Sequence, residues 1–483
     1  MFFGAARGRG APCRYARFWY YSLRMRILIT GGGEVASQTA ARLIREGNEL
    51  IIVEQDPARC ARLEETLDAK VVQGSAASVA TLHEAGLRDA EMLITVTDSD
   101  EVNLLTCLIA QAESNARVKV ARVRTHEVDH WRRICDKTGI EIDLIIHPES
   151  LAVERMLPVL PIPGVSDIIE FAAGRVKLFG MNIEPDHWTV GKTLIEIADC
   201  GAPPNSLVAM IFRGSEVIIP RGSEKILAGD HIYVVTRSEE FDDVLRFLGI
   251  RRQERLERVF ILGGKQIGIA VAQALEKQGV AVKLFERDAD RCRKIAEILS
   301  DTIVVHADGT DANILQAENI RGISAYLALT HDDEENLIAA VLARRLEARK
   351  VVALINRLSY LAMAQRLGIN TTISPRLATV DRILQFVRKG HVVSVTSFRE
   401  EEAEAIELVA SPNSPFVGKK LKEIKFPPGA IVGAVARTRG DVIIPRGHST
   451  IEPGDRVILF ALEHVVPKLE SAFLAEKRKK LPW

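Results

Sequence analysis

Runs of apolar residues alternate with amphipathic segments in the first part of the chain. The runs are short and rich in β-branched residues, which is typical of buried strands, and the segments between them repeat apolar positions at helical spacing. The apolar runs are RILIT, ELIIVE, AKVVQG, MLITVT and VKVARVR, and the helical segments are SQTAARLIREG, ARCARLEETL, VATLHEAG and VNLLTCLIAQAE. Apolar strands that alternate with helices predict a parallel sheet covered on both faces.

The next stretch, about residues 165–250, has a different pattern. Its β-type runs, LVAMIF, EVIIPRG and HIYVVT, are separated by Gly and Pro turns rather than by long helical segments. This pattern predicts a small α+β domain in which an antiparallel sheet carries one or two helices.

The whole pattern then repeats. Residues 27–56 match residues 259–288 at an offset of 232, and residues 93–105 match residues 326–338 at an offset of 233. The hexapeptide VIIPRG occurs at residues 217–222 and again at 442–447. Landmarks that recur in the same order at nearly constant spacing indicate a tandem duplication of one two-domain module.

The predicted fold class is therefore α/β, with two Rossmann-like doubly wound parallel sheets, each followed by a small α+β domain. The expected Rossmann-like domains are residues 25–150 and 256–380, and the expected small domains are residues 165–250 and 394–475. Residues 1–24 carry five arginines and no acidic residue and lie outside this pattern. We interpret them as an extension preceding a natural start at Met25, with a membrane-touching segment as the alternative.

Composition narrows the class of protein. The 483 residues include 64 Lys and Arg against 64 Asp and Glu, so the chain lacks the basic surplus of a protein that coats nucleic acid. The sequence contains no run of about 18 consecutive apolar residues, which is the length that a helix needs to span a bilayer. Six scattered cysteines without a CxxC motif favour neither structural zinc nor a disulfide framework, and they fit a reducing cytosol.

A glycine-rich turn follows the first apolar run. Residues 31–36 read GGGEVA, the G-x-G-x-x-A form of the dinucleotide-binding fingerprint. In this pattern Gly31 allows the tight turn and Gly33 lets the backbone approach a pyrophosphate, which lies at the positive end of the following helix. Glu54 ends the second apolar run 21 residues after Gly33. An acid there hydrogen-bonds ribose hydroxyls and repels a 2′-phosphate, which favours NAD(H) over NADP(H).

The second copy carries an altered fingerprint. Residues 263–268 read GGKQIG, with Lys265 in place of the middle glycine, and Glu286 follows 21 residues after it. A side chain at position 265 crowds the approach of a pyrophosphate, whereas its ammonium group can pair with phosphate. Three interpretations stay open: a dinucleotide site, a mononucleotide site and a vestigial scaffold.

Other polar residues lie where ligands of open α/β sheets bind. Thr97 and Asp98 follow the fourth apolar run, as Thr330 does in the second copy. Thr97 either contacts the ligand or belongs to the cap of the next helix, for which Thr97, Asp98 and Ser99 are the candidates. Arg122 and Arg124 are predicted on the fifth strand, where a buried arginine needs a phosphate or carboxylate partner.

Catalytic machinery is not evident in the sequence. The small domains contain His187, His231, His391, His448 and His464, none at matching positions in the two copies. An NAD-dependent oxidoreductase, in which the small domains bind substrate, is the alternative, but it requires a proton donor that the repeat does not supply. The pattern favours ligand sensing without chemistry.

These residues resemble a known family. The segments LITGGGEVA, AEMLITVTDSDEVN, ARVR, FILGGKQIG, LALTHDDEENL and IKFPPGAIVGAVAR resemble the RCK (regulator of K⁺ conductance) family, also called KTN. The resemblance implies a cytoplasmic regulatory subunit, peripheral to the inner face of the plasma membrane, that binds NAD(H) and ATP or ADP. It also implies a homo-oligomeric ring, a dimer or tetramer, that gates an integral membrane K⁺-translocating subunit. A regulator of a K⁺ efflux channel or of a cation/proton antiporter shares the same motifs.

The resemblance also assigns candidate ligand residues in both copies. They are Gly31, Gly32, Gly33, Glu34, Val35, Glu54, Thr97, Asp98 and Arg122 in the first, and Gly263, Gly264, Lys265, Gln266, Ile267, Glu286 and Thr330 in the second. The family's arginine at position 122 is expected to have its counterpart near Ile355, which cannot pair with phosphate.

Overall fold

The structure is a computed structural model that describes residues 25–125, 128–214, 216–253, 255–387, 392–398 and 402–473. The predicted extension, residues 1–24, lies outside the described residues. The chain divides into two compact units. The first consists mainly of residues 25–122 and 129–145, and the second mainly of residues 146–387 and 392–473.

The first unit is built on a six-stranded sheet in the order β3-β2-β1-β4-β5-β6. Its strands are β1 (Arg26–Thr30), β2 (Glu49–Glu54), β3 (Lys70–Gln73), β4 (Met92–Thr95), β5 (Val118–Arg122) and β6 (Leu144–Ile146). Its helices are α1 (Glu34–Arg45), α2 (Pro57–Thr66), α3 (Val79–Glu84), α4 (Asp100–Glu113) and α5 (Val128–Thr138). Strands β1 to β5 pair in parallel, in the strand order of the doubly wound dinucleotide-binding fold.

The second unit begins with α6 (Pro148–Met156) and a five-stranded antiparallel sheet in the order β10-β9-β11-β8-β7. The elements of this small domain are β7 (Val165–Phe171), β8 (Val176–Asn182), α7 (Leu194–Asp199), β9 (Ser206–Arg213), β10 (Glu216–Ile218), β11 (His231–Arg237) and α8 (Phe241–Phe247). Helix α7 begins at a capping box, in which Thr193 and Glu196 satisfy each other's backbone amides.

A second six-stranded parallel sheet follows, in the order β14-β13-β12-β15-β16-β17. Its strands are β12 (Arg258–Leu262), β13 (Ala281–Glu286), β14 (Ile303–His306), β15 (Ala325–Ala328), β16 (Val351–Leu354) and β17 (Thr372–Ile373). Its helices are α9 (Gln266–Glu276), α10 (Ala289–Ile298), α11 (Ala312–Ala317), α12 (Asp333–Arg345), α13 (Ser359–Arg366) and α14 (Pro375–Val387). Helix α6 joins this domain's core, where Ala152 and Met156 are buried with Val271 and Leu275.

The last small domain has an antiparallel sheet in the order β18-β19-β22-β20-β21. Its elements are β18 (Val392–Phe398), β19 (Ala403–Val409), β20 (Ala430–Ala436), β21 (Val442–Ile443), β22 (Arg456–Leu462) and α15 (Val466–Phe473). The repeated sheet orders confirm the predicted tandem α/β duplication.

The two small sheets share one hydrophobic core inside the second unit. Phe171, Phe212 and Tyr233 from the first small domain are buried together with Phe398 and Phe460 from the second. The rings of Tyr233 and Phe398 lie 4.6 Å apart between centroids, in an edge-to-face arrangement that aromatic pairs prefer. The duplicated small domains therefore bury their inner faces against each other.

Candidate nucleotide-binding sites

The first two glycines of the first fingerprint are explained by the protein itself. Gly31 has φ +99°, and a Cβ added there would lie 3.0 Å from the backbone of Thr97. A Cβ on Gly32 would lie 2.7 Å from the carboxylate of Glu54. Both positions need glycine for the turn between β1 and α1, whether or not a ligand is bound.

Gly33 is different, because nothing in the described protein requires it to be glycine. Its φ of −73° and ψ of 179° are available to any residue, and a Cβ added there meets no described atom within 4 Å. Gly33 is the N-cap residue of α1, so the missing side chain leaves open space in front of the helix N-terminus. Glu34 and Val35 begin that helix, and the N–H groups of a first helical turn have no intrahelical partner. The arrangement suits an anion that approaches the backbone closely.

Glu54 ends β2 and is almost completely buried, with 5% of its surface exposed. Its Oε1 accepts hydrogen bonds from the amides of Gln55 at 2.8 Å and Asp56 at 2.9 Å, and its Oε2 accepts from the amide of Gly32. The carboxylate thus ties the glycine turn to the end of β2, a structural role that the sequence analysis did not predict.

The loop after β4 is held by side chains from two neighbouring elements. Arg122, the last residue of β5, is buried, and it donates to the carbonyl of Thr97 at 2.6 Å and to Oδ1 of Asp98 at 2.9 Å. The sequence predicts a phosphate or carboxylate partner for this arginine, and Asp98 is a carboxylate partner. Arg124 was expected on the same strand, but β5 ends at Arg122, so this expectation was wrong.

Asn103, on α4, also holds this loop, and sequence reasoning missed its role. Its Oδ1 accepts from the amide of Thr97 at 2.9 Å and from the Thr97 hydroxyl at 2.8 Å. Its Nδ2 donates to the carbonyls of Thr97 at 3.1 Å and Arg122 at 2.9 Å. The cap of α4 is Ser99, whose hydroxyl accepts from the amide of Val102, so Thr97 is not the cap. The signal was present in the sequence, because Asn103 aligns with Asn336 in the repeat.

The second copy reproduces this framework. Gly263 has φ +104°, and the amide of Gly264 donates to Oε2 of Glu286 at 3.1 Å. Asn336 accepts from the amide and hydroxyl of Thr330, both at 2.9 Å. Burial raises the pKa of Glu286, but hydrogen bonds from the amides of Asp288 and Gly264 and the charge of Arg291 outweigh burial and leave it below its usual value.

Lys265 occupies the position of Gly33 with nearly the same backbone, at φ −94° and ψ −171°. It is exposed at the N-terminus of α9, which begins with Gln266 and the buried Ile267. Lys265, Arg287, Arg291 and His331 line a cavity of about 240 Å³, which is smaller than most cavities that enclose a drug-sized ligand. Burial and then the positive charge of Lys265 lower the pKa of His331.

The counterpart of Arg122 was placed one residue too far along. Asn103 donates to the carbonyl of Arg122, and Asn336 donates to the carbonyl of Leu354, both at 2.9 Å. The equivalent residue is therefore Leu354 rather than Ile355. The difference in residue number between equivalent positions of the two copies is 233 at Asn103 and Asn336, and it is 232 again at Arg122 and Leu354, the last residues of β5 and β16. The second site has a buried leucine where the first has a cation.

Comparison with family models gives two matches, each occurring twice. The TrkA-N domain matches residues 27–148 and 259–375, and the TrkA-C domain matches residues 178–249 and 405–474. The Trk system potassium uptake protein TrkA of Vibrio alginolyticus is 36% identical over 93% of this chain and 98% of that protein. TrkA homolog 1 of Methanosarcina mazei is 33% identical over 93% of this chain and all of that protein. The chain belongs to the TrkA family of potassium uptake proteins.

Solved structures show the same fold at low sequence identity. The GsuK RCK domain matches with a TM-score of 0.57 and 19% identity over 94% of this chain and 96% of that chain. The GsuK channel bound to NAD gives a TM-score of 0.56 and 18% identity over 94% and 79% of the two chains. These structures show the fold, whereas the predicted family is confirmed by the TrkA-N and TrkA-C matches and by the TrkA relatives.

The relatives are named as potassium uptake proteins. The comparisons therefore do not favour the alternative functions, an oxidoreductase or a regulator of an antiporter, for this chain. Among the described residues, no helix is both long and apolar enough to cross a bilayer.

Proposed function

We propose that this TrkA-family chain is a nucleotide-binding regulatory subunit of a potassium uptake system. It acts on an integral membrane K⁺-translocating subunit of the TrkH or TrkG type, from the cytoplasmic face, and performs no chemistry of its own. The observation that carries the proposal is Gly33, a glycine that neither backbone strain nor packing explains, at the open N-terminus of α1. Close approach of a ligand phosphate to the backbone supplies the missing reason.

NAD(H) is the ligand proposed for the first site, with ATP or ADP competing for it. Glu54 lies at the end of β2, where the family's acid contacts the ribose, and its negative charge disfavours a 2′-phosphate. Its hydrogen bonds to Gly32, Gln55 and Asp56 fix the carboxylate in place. A ribose that binds there meets an acceptor whose position is already set.

The second site is proposed to take a phosphate-bearing mononucleotide rather than a dinucleotide. Lys265 fills the space that Gly33 leaves open and lines a cavity of only about 240 Å³, in which Arg287 pairs with Glu335 and Arg291 pairs with Glu286. The ammonium group of Lys265 favours phosphate, whereas the volume disfavours a second nucleoside.

Nucleotide occupancy is proposed to control K⁺ flux by changing the arrangement of paired nucleotide-binding domains in a homo-oligomeric ring. Linkage requires each ligand to bind two arrangements with different affinity, and coupling free energies are typically about 1–3 kcal/mol. NAD(H), ATP and ADP then act as opposing or cooperating signals according to which arrangement each prefers.

A reciprocal exchange tests the proposal. Gly33→Lys is expected to weaken NADH binding by about tenfold or more, because the side chain occupies the phosphate approach, while Lys265→Gly leaves the first site unchanged. Isothermal titration calorimetry measures the NADH affinity of each variant. K⁺ flux in vesicles that contain the membrane subunit measures the regulatory response. Full NADH affinity and an intact flux response in folded Gly33→Lys protein would contradict the proposal.

A further inference from the structure

The second unit contains a cavity of about 880 Å³ that is lined by no residue of either fingerprint turn. It lies where the join between the first small domain and the second parallel sheet, represented by residues 250–253 and 255–256, meets helix α8 and the segment around Leu157 and Pro161. Gln278 and Val280, which follow α9, close another side. Its volume is within the range of about 300–1,000 Å³ that is typical of small-molecule sites.

The floor of this cavity is apolar. Leu245, Ile250, Leu256 and Val280 line it, and each is buried. A molecule in the cavity would therefore cover apolar surface, which favours an occupant with a hydrocarbon or ring body.

The wall carries excess positive charge. Among the described residues, four arginines line the cavity, Arg246, Arg251, Arg252 and Arg255, together with one acid, Asp242. Arg246 pairs with Asp243, and Arg252 lies 3.5 Å from Asp242, whereas Arg255 donates to the carbonyl of Gly279 at 3.2 Å. No carboxylate of a described residue lies within 4.0 Å of Arg251. Guanidinium groups gathered beside an apolar floor favour an anionic head group.

The lining also contains an unsatisfied acceptor. The Gln253 amide nitrogen donates to the carbonyl of Ser324 at 3.3 Å, and its backbone amide donates to the carbonyl of Pro161 at 2.7 Å. Its Oε1 is buried and accepts from no donor in the part of the chain that the structure describes. Buried polar atoms are nearly always paired, and an N–H or O–H group of an occupant would satisfy this one.

We infer that this cavity binds a small organic anion with three features: a phosphate-type head group for the arginines, an apolar ring body for the floor, and one donor for Gln253. This site is additional to the two nucleotide sites and does not depend on the proposed function. Because its lining comes from the join, the first small domain and the second parallel-sheet domain, its occupant contacts all three.

The test uses 8-anilinonaphthalene-1-sulfonate, which combines an anion, an aromatic body and an N–H donor and fluoresces in apolar surroundings. We expect saturable binding to the full chain that excess NAD⁺ does not displace. We expect 1-naphthyl phosphate to compete and inorganic phosphate to compete far more weakly, because it lacks the apolar body. Displacement by NAD⁺, or equal competition by inorganic phosphate, would overturn the inference.

Matched variants locate the binding. Arg251→Gln with Arg252→Gln is expected to weaken binding of the fluorophore by about tenfold, as charge-assisted contacts are lost. Arg293→Gln with Arg321→Gln removes the same charge from exposed, ion-paired positions outside the cavity and is expected to change nothing. Gln253→Leu is expected to weaken binding about fivefold without changing charge. Equal affinity in all variants, or equal loss in the control pair, would show that the fluorophore binds elsewhere.

Discussion

At the scale of single residues, two positions distinguish otherwise matching frameworks: Gly33 corresponds to Lys265, and Arg122 corresponds to Leu354. Both copies have a positive-φ glycine at the turn and an acid that accepts from the next amide. Gly33 and Lys265 share an extended backbone, so the exchange of glycine for lysine changes what the turn can bind without changing its shape. The duplication has kept the scaffold and varied the residue at the proposed ligand contact.

Glu54→Ala tests the acid at this scale. The substitution leaves the amides of Gly32, Gln55 and Asp56 without their acceptor, and an unsatisfied buried donor costs about 1–3 kcal/mol. We therefore expect a lower free energy of unfolding in urea as well as weaker NADH binding by calorimetry. Unchanged stability would contradict the structural role of the carboxylate, and unchanged NADH affinity would remove it from the site.

At the scale of elements, helices α4 and α12 each present apolar residues to solvent. Leu105 and Leu108 on α4 are 42% and 44% exposed, and Ile338, the counterpart of Leu105 on α12, is 64% exposed. Large apolar side chains at equivalent positions of duplicated helices are a pattern expected of an assembly surface. The proposed homo-oligomer would cover them.

Ile338→Asp is expected to lower the oligomeric state, because a carboxylate in an apolar interface loses its hydration without gaining a partner. Light scattering coupled to size-exclusion chromatography measures the molar mass. Ile298→Asp is the control, since Ile298 is also half exposed but lies on α10. An unchanged mass for Ile338→Asp, or an equal drop for both variants, would contradict assembly through α12.

At the scale of the second unit, a buried amine ties the first small domain to the second parallel-sheet domain. Lys350 precedes β16, and its Nζ donates to the carbonyl of Ile162 at 3.3 Å and to that of Val165. Burial lowers the pKa of Lys350 to about 7, although the charge of Asp167 opposes the shift. The folded form therefore binds this proton less readily than the unfolded chain does.

The sign of the resulting pH dependence follows. Because the folded pKa lies below the ordinary pKa near 10.4, stability contributed by neutral Lys350 is complete above the ordinary value and is lost as pH falls toward about 7. Lys350→Met removes this loss. We expect the variant to gain stability relative to the native chain by several kcal/mol at pH 7 and by progressively less toward pH 10. Urea unfolding at each pH measures the difference, and a difference independent of pH would contradict the assignment.

The sequence by itself determined the fold class, the duplication and the family. These conclusions depend on hydrophobic periodicity, on repeated landmarks and on glycines at turns that need a positive φ, which other residues tolerate poorly. All three are local or one-dimensional properties of the chain. The alternation of buried strands and helices predicted both parallel sheets. Offset counting placed Ile355 one residue from the true counterpart, Leu354, because a strict offset cannot detect a one-residue length change.

Only the tertiary structure decided which groups meet. The pairing of Arg122 with Asp98, the carboxylate of Glu54 on the glycine turn, and Asn103 between two strands all join residues distant in sequence. The arginine-lined cavity and the buried Lys350 likewise arise where separate segments pack together. Such contacts depend on side-chain direction and burial, which hydrophobic patterning does not encode, because the same pattern is compatible with many arrangements of polar groups at the ends of strands.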